Sequence, residues 1–404
     1  MPPLIAHPLI EHSDGISPLL VTVLAVAAVL TVATRKSSPR PLRENRGSEG
    51  PIESWDGSLS PAQTTTRSVA VGLLLLAVAA GRLGSPLQLR NLAPALVIGV
   101  AWPLLVLGSA LFGPVWRWVD PWDAMARPAG REGSGDPTEA SPGEAGDVWP
   151  AVVPALTWVW YLNVWPGSLD PRAVGAVLAV YSILTVAGCL AVGRKRWLSR
   201  AEVFGIFFSW TARLRRGRLL DWTPPRGAEA VLGVLAGGLL FGALRRTSLW
   251  GALNVAPLAV LYATAGLVGS CAVVAALLSG LGRSSRPPRA SGAVWAAAVP
   301  AVASLAVAMA LARNRLFTSL QLLPALASDP FGLGWDLFGT ADWAVNPDPL
   351  GHVGLPILQV LVLVAGHLAG AWILSRRVDL PRRVPGVIAL GILMASAALA
   401  VTVT

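Results

Sequence analysis

Long apolar runs alternate with short polar stretches along almost the whole chain. They cover residues 18–34, 68–83, 92–112, 149–165, 173–192, 228–244, 255–281, 293–312, 354–374 and 384–403. A helix needs about 20 mostly apolar residues to cross a bilayer. The pattern therefore predicts an all-α integral membrane protein, a bundle of about ten transmembrane helices. It occupies residues 18–404 behind an N-terminal tail, 1–17. Pro103 predicts a kink in the third run. One segment breaks the rhythm. In RKRWLSRAEVFGIFFSWTARLRRGR, Val203, Phe204, Phe207, Phe208 and Trp210 cluster among arginines. Its apolar part is too short to cross, which predicts an amphipathic helix lying in the membrane interface, the alternative being a helix packed under the bundle. The stretches 35–67 and 126–148, rich in Ser, Pro, Gly and charge, read as flexible connectors.

Composition supports this reading. Of 404 residues, 54% are hydrophobic and 13% charged, with a mean hydropathy of +0.59. Soluble domains carry about 25% charged residues. The net charge of +10 invites a nucleic-acid reading. The position of the charge excludes it, because the basic residues sit in the connectors. Of the 32 Lys and Arg, 25 fall after odd-numbered runs and seven after even-numbered ones. By the positive-inside rule the first set faces the cytoplasm. Both termini and the loop 328–351 then lie outside the cytoplasmic membrane. Cys189 and Cys271 fall within apolar runs, which is no disulfide framework.

Candidate chemistry concentrates in SDPFGLGWDLFGTADWAVNPDPLGHVGLPILQVLVLVAGHLAGAWIL. Its loop holds Asp329, Asp336, Asp342 and Asp348. The following run carries Gln359 and His367 in an otherwise apolar stretch. His367 lies 13 residues from Gly354, roughly 20 Å into the membrane. An ionisable group at that depth suggests a functional site, or a neutral histidine bonded between helices. Carboxylates on Gly-rich backbone can coordinate a hard cation or act as acid and base. They also cap turns. Asp336, Asp342 and His352 are the candidates for a divalent metal, although no cofactor motif is evident. A second cluster, Trp116, Arg117, Trp118, Asp120, Trp122 and Asp123, reads as an interfacial aromatic belt with a local Arg–Asp pair. There is no nucleophile elbow, P-loop or dinucleotide-binding motif.

The stretches from QLRNLAPALVIGVAWPLL to WRWVDPWDAMAR, VLAVYSILTVAGCLAVGRKRWLSRAEVFGIFFSWTARL, and SDPFGLGWDLFGTADW with LVAGHLAG resemble a group of polytopic bacterial membrane proteins described as fenitrothion hydrolase-like. The resemblance runs from about residue 70 to the C-terminus. It implies cleavage of an organophosphate ester and singles out Asp329, Trp335, Asp336, Asp342 and His367. The chain departs from the family pattern at ALARNRLFTSLQLLPAL, which lacks a histidine, and at Asp120-Pro121-Trp122-Asp123.

Three functions remain open on these grounds. The first is a permease-like or ligand-binding protein using Asp329, Trp335, Asp336, Asp342 and His367. The second is a membrane-embedded hydrolase of organophosphate esters, with Asp336, Asp342 and His367 as catalytic candidates. The third is a structural subunit whose segment Arg200–Arg213 docks a cytoplasmic or membrane protein. The lipid bilayer is the one partner all three share.

Overall fold

The computed structural model describes residues 59–129, 147–247, 250–251, 258–284, 288–312 and 315–378, with helical fragments at 26–28, 30–32, 387–388 and 391. The tail 1–17, most of the first and tenth runs and the greater part of both long connectors lie outside the described residues. Those residues form helices and no strand.

The first complete helix, α1 (Pro61–Leu83), starts seven residues earlier than the apolar run. Ser60 caps it: its hydroxyl accepts from Gln63 N while the Gln63 side chain accepts from Ser60 N. This capping box, with Pro61 at the first position, satisfies amides that an apolar run alone leaves open. The second, α2, spans Leu92–Phe112. It does not simply kink at Pro103. Residues Ala95–Ala101, just ahead of it, widen into a π-helical stretch. Proline lacks the amide that would bond Gly99 O and its ring crowds that carbonyl, so the preceding turn opens.

Two short helices follow, α3 (Trp116–Val119) and α4 (Pro121–Ala126). Then come α5 (Val152–Asn163), α6 (Pro171–Val192), α7 (Arg194–Arg200) and α8 (Val203–Ala212). The chain continues through α9 (Ala228–Leu244), α10 (Ala259–Ser284), α11 (Pro288–Leu311), α12 (Arg315–Ser328) and α13 (Gly351–Arg377). Six of these (α1, α2, α6, α10, α11 and α13) are long and apolar enough to cross a membrane. The expected fourth and sixth crossings fall on α5 and α9, which are shorter.

Contacts at the helix ends show that the long elements run alternately up and down. At one end, Arg67 and Arg194 both reach Asp123. Arg215 donates to Phe112 O, Val148 N to Arg226 O, and Arg377 to Leu219 O and Gly292 O. At the other, Ser85 N donates to Phe331 O and Arg82 to Arg172 O. Most described arginines and both ends of α7 belong to the first end; the loop 329–350 belongs to the second.

The seams between helices are made by small residues, which let backbones close in where hydrophobicity alone gives little selectivity. A Cβ on Gly366 of α13 would lie 2.2 Å from Ser304 Oγ and 2.5 Å from Pro300 O of α11. A Cβ on Gly237 of α9 would meet Cys271 Cα of α10 at 2.5 Å.

The segment expected in the membrane interface is buried instead. Val203, Gly205, Ile206, Phe207, Phe208, Trp210 and Thr211 of α8 are all enclosed by the bundle. Of the arginines that made the segment look amphipathic, Arg194, Arg196 and Arg200 belong to a separate helix, α7, and Arg213, Arg215 and Arg218 come after the end of α8. The chain breaks at Ala201 and Glu202, where the Glu202 carboxylate caps α8. With apolar side chains on every face, α8 packs as a core element.

Candidate functional site

The residues singled out from the loop 329–350 do not converge. Asp329 accepts from Leu333 N at 2.9 Å and Gly334 N at 2.7 Å. It fixes a turn in which Gly332 and Gly334 take positive φ. Asp336 accepts from Ser328 Oγ at 2.7 Å and Ala341 N at 3.0 Å. Those hydrogen bonds hold its exposed carboxyl below the usual range. Ser328 Oγ in turn accepts from Phe338 N at 2.8 Å. Asp342 is exposed, and Trp335 meets Phe331 edge-on at 5.7 Å between centroids. Gln321 ties the far part of the loop to α12 through Asn346, accepting from its amide at 2.8 Å. His352 lies in the first turn of α13.

His367 sits about 24 Å along α13 from its start at Gly351, away from the loop. Its Nδ1 donates to Leu363 O of its own helix at 2.8 Å, and its buried Nε2 has no hydrogen-bond partner among the described residues. The bridge between α13 and α11 comes from Gln359, which donates to Ala308 O at 3.2 Å. Among the described residues no three His, Cys, Asp or Glu side chains form a group able to hold a metal ion.

The densest polar arrangement lies at the opposite, basic end. Asp123, fully buried, receives Arg67, Arg127 and Arg194. Arg127 Nε approaches at 2.9 Å from one turn along the chain, at the C-cap of α4. Arg67, on α1, also donates from Nε and Nη2 to Arg117 O at 2.9 and 2.6 Å. The expected local Arg–Asp pair is therefore a three-arginine cluster drawn from α1, α4 and α7. Asp120 caps α4, its Oδ1 accepting from Trp122 N and Asp123 N. Among the described residues its Oδ2 has no hydrogen-bond partner. Burial, and then the neighbouring Glu202, push the Asp120 carboxyl well above the usual range.

Glu202 is 1% exposed and accepts from Tyr181 Oη at 2.7 Å, Phe204 N at 3.0 Å and Gly205 N at 2.5 Å. Burial pushes its carboxyl up to about 7, against those three hydrogen bonds. A Cβ at Gly205 would lie 2.6 Å from Glu202 Oε2 and 2.9 Å from Trp116 Nε1. Position 205 must be glycine for the carboxylate and the indole to close over it.

Above this network a groove of about 480 Å³ runs between α1 and α2. Its floor and walls include Trp102, Trp158, Tyr161, Phe204 and Phe208. Trp116, Trp122 and Tyr181 close the end nearest the ions. The groove is walled by α1 from Thr66 to Ala77, about 16 Å along that helix, roughly half the thickness of a bilayer core. Its lips, Val69, Leu73 and Leu104, are 56%, 45% and 38% exposed, so it opens sideways. α1 packs on α6 while α2 packs on α8 and α11, which leaves the space between them.

Sequence reasoning reached Trp116, Asp120, Trp122 and Asp123 but missed Arg67, Tyr181, Arg194 and Glu202. One signal was present: Arg67 stands at the head of an apolar run and Glu202 is the one acid between Arg194 and Arg218.

Compared with family models, curated proteins and solved structures, the chain matches none. Among the described residues six helices are long and apolar enough to cross a membrane, which fits a membrane protein.

Proposed function

We propose that this chain is a multi-pass protein of the cytoplasmic membrane that takes a lipophilic ligand from the bilayer into the groove between α1 and α2. Its role is then permease-like or ligand-binding, with the site near the basic end rather than at the outer loop. The observation that carries this is the groove itself: apolar, 480 Å³, open sideways at exposed apolar lips, with buried polar groups gathered at one end. Volumes of that order suit small-molecule sites, which are mostly apolar with a few placed polar groups. In this reading the chain crosses the membrane about ten times, the arginine-rich end faces the cytoplasm, and both termini lie outside.

The test is native mass spectrometry of protein extracted in mild detergent, wild type beside Leu73→Trp, which places a ring across the lip. A bound lipophilic adduct on the wild type that the variant loses supports the proposal. An adduct kept equally by both, or found on neither, refutes it. Organophosphate hydrolysis assayed with and without divalent metal, beside Asp336→Asn, separates this reading from the hydrolase that the family resemblance implies.

A further inference from the structure

Among the described residues that line the groove between α1 and α2, none carries a formal charge at neutral pH. The charges nearby are engaged behind its walls. Asp123 holds Arg67, Arg127 and Arg194, and Arg67 also donates to Arg117 O. Asp120 and Glu202 are buried, and neither lines the groove. The polar groups of the lining itself are neutral, and several are already used within the protein. Thr66 Oγ1 donates to Trp118 O at 2.6 Å, Trp122 Nε1 to Ser182 Oγ at 3.0 Å and Tyr181 Oη to Glu202 at 2.7 Å. Tyr161 Oη and Trp116 Nε1 are buried without a hydrogen-bond partner among the described residues, and they too are neutral donors. A charged group carried into this groove would lose its water and meet no counterion.

The walls are also rich in rings. Eight of the 26 lining residues are Trp, Tyr or Phe, against 7% of the whole chain. Aliphatic walls suffice for a flexible hydrocarbon chain, so the excess points to a ligand that rings recognise. Phe204 meets Trp102, Trp158 and Tyr181 at 5.4, 5.3 and 5.3 Å between centroids, with planes at 75°, 84° and 67°. Rings set so steeply offer both faces and edges to a further ring, the contacts that aromatic systems prefer. The wall supplied by α2 is its π-helical stretch, from which Leu96, Val97, Ile98 and Ala101 line the groove. π-helical turns recur at functional sites. This one is seated at Gly99, where a Cβ would lie 2.1 Å from Ser319 Oγ.

We propose that the ligand is an uncharged lipophile built on a flat ring system, held between Trp102, Trp158 and Phe204. This rests on the groove reading above and adds the charge and shape of the ligand to it.

Four probes test it. Pyrenemethanol, pyrenemethylamine and pyrenecarboxylate share one ring system and are neutral, cationic and anionic at neutral pH; hexadecanol is neutral and linear. Each is equilibrated by dialysis with the full-length protein in neutral detergent, with protein-free micelles as the blank. The expected result is a Kd for pyrenemethanol at least about tenfold lower than for each of the other three. Trp102→Leu and Trp158→Leu should each weaken pyrenemethanol binding by about three- to tenfold, the worth of one lost ring contact, and leave hexadecanol unchanged. Trp158 is half-buried, so Trp158→Leu carries the ring test if Trp102→Leu does not fold. Leu73→Trp should abolish pyrenemethanol binding. A charged pyrene or hexadecanol bound as tightly as pyrenemethanol would overturn the assignment. So would pyrenemethanol bound equally by wild type and the folded variants, or binding of none of the four. In each of those cases an adduct lost from Leu73→Trp in the mass spectrometry leaves the groove reading standing.

Discussion

Replacing Asp123 by asparagine should cost more stability than any other single change at the basic end. The carboxylate is fully buried, and the side chains of Arg67 and Arg194 are 4% and 10% exposed. Removing one partner of a buried ion pair strands the other charge, at about 3–5 kcal/mol. Here the carboxamide would face three guanidiniums, two of them nearly enclosed, so the upper part of that range is expected. Arg127 provides the internal control. It binds the same Asp123 oxygen as Arg67, but its side chain is 24% exposed. A fully exposed i,i+4 pair is worth about 0.3–0.5 kcal/mol; this one is part-buried, so Arg127→Gln should cost about 1 kcal/mol, well below the loss of Asp123. Both variants are measured by unfolding in mixed detergent micelles with wild type alongside. A double change, Arg67→Met with Asp123→Leu, should recover part of the loss, because well-packed apolar groups can replace a buried pair. The reasoning fails if Asp123→Asn costs less than about 1 kcal/mol, or if Arg127→Gln costs as much.

Other outcomes are as definite. Glu202 has its carboxyl raised from 4.5 to about 7 in the folded chain. A raised acid contributes most below its unfolded value, so stability should fall as pH climbs from about 4.5 through 7, by about 3 kcal/mol in all. Asp120, raised in the same direction and acting on Glu202's neighbourhood, adds to that slope, and Glu202→Gln should flatten it in melting curves taken from pH 5 to 8. Gly366→Ala should destabilise by about 1–3 kcal/mol through overpacking against Ser304 and Pro300. The same change at Gly72, where an added Cβ meets nothing within 4 Å, should be neutral or stabilising by up to about 1 kcal/mol. Cysteines placed at Asp342 and Arg196 should label from opposite sides of sealed vesicles; labelling from one side would break the alternating arrangement.

Much of the architecture was legible in the amino-acid sequence because lipid imposes it. A backbone in hydrocarbon must bond to itself, so each long apolar run becomes a helix. That logic placed α1, α2, α6, α10, α11 and α13, and the uneven arginine count anticipated a basic end. The same logic misjudged the segment 203–212. Hydrophobicity among arginines suits both a helix on the membrane and one enclosed by the bundle, and only the neighbours of Phe207 and Trp210 distinguish them. The candidate site diverged further. Asp329 and Asp336 stood out as two of four carboxylates on a Gly-rich loop, but their oxygens accept from nearby backbone amides and, at Asp336, from the Ser328 hydroxyl, a matter of local turn geometry. What tertiary structure alone decided was the meeting of Arg67, Asp123 and Arg194, and of Tyr181 with Glu202. Those partners are separated by 56, 71 and 21 residues. No local pattern encodes such meetings, because they depend on which helix ends share a side of the bundle and how closely glycines such as Gly205 let them approach.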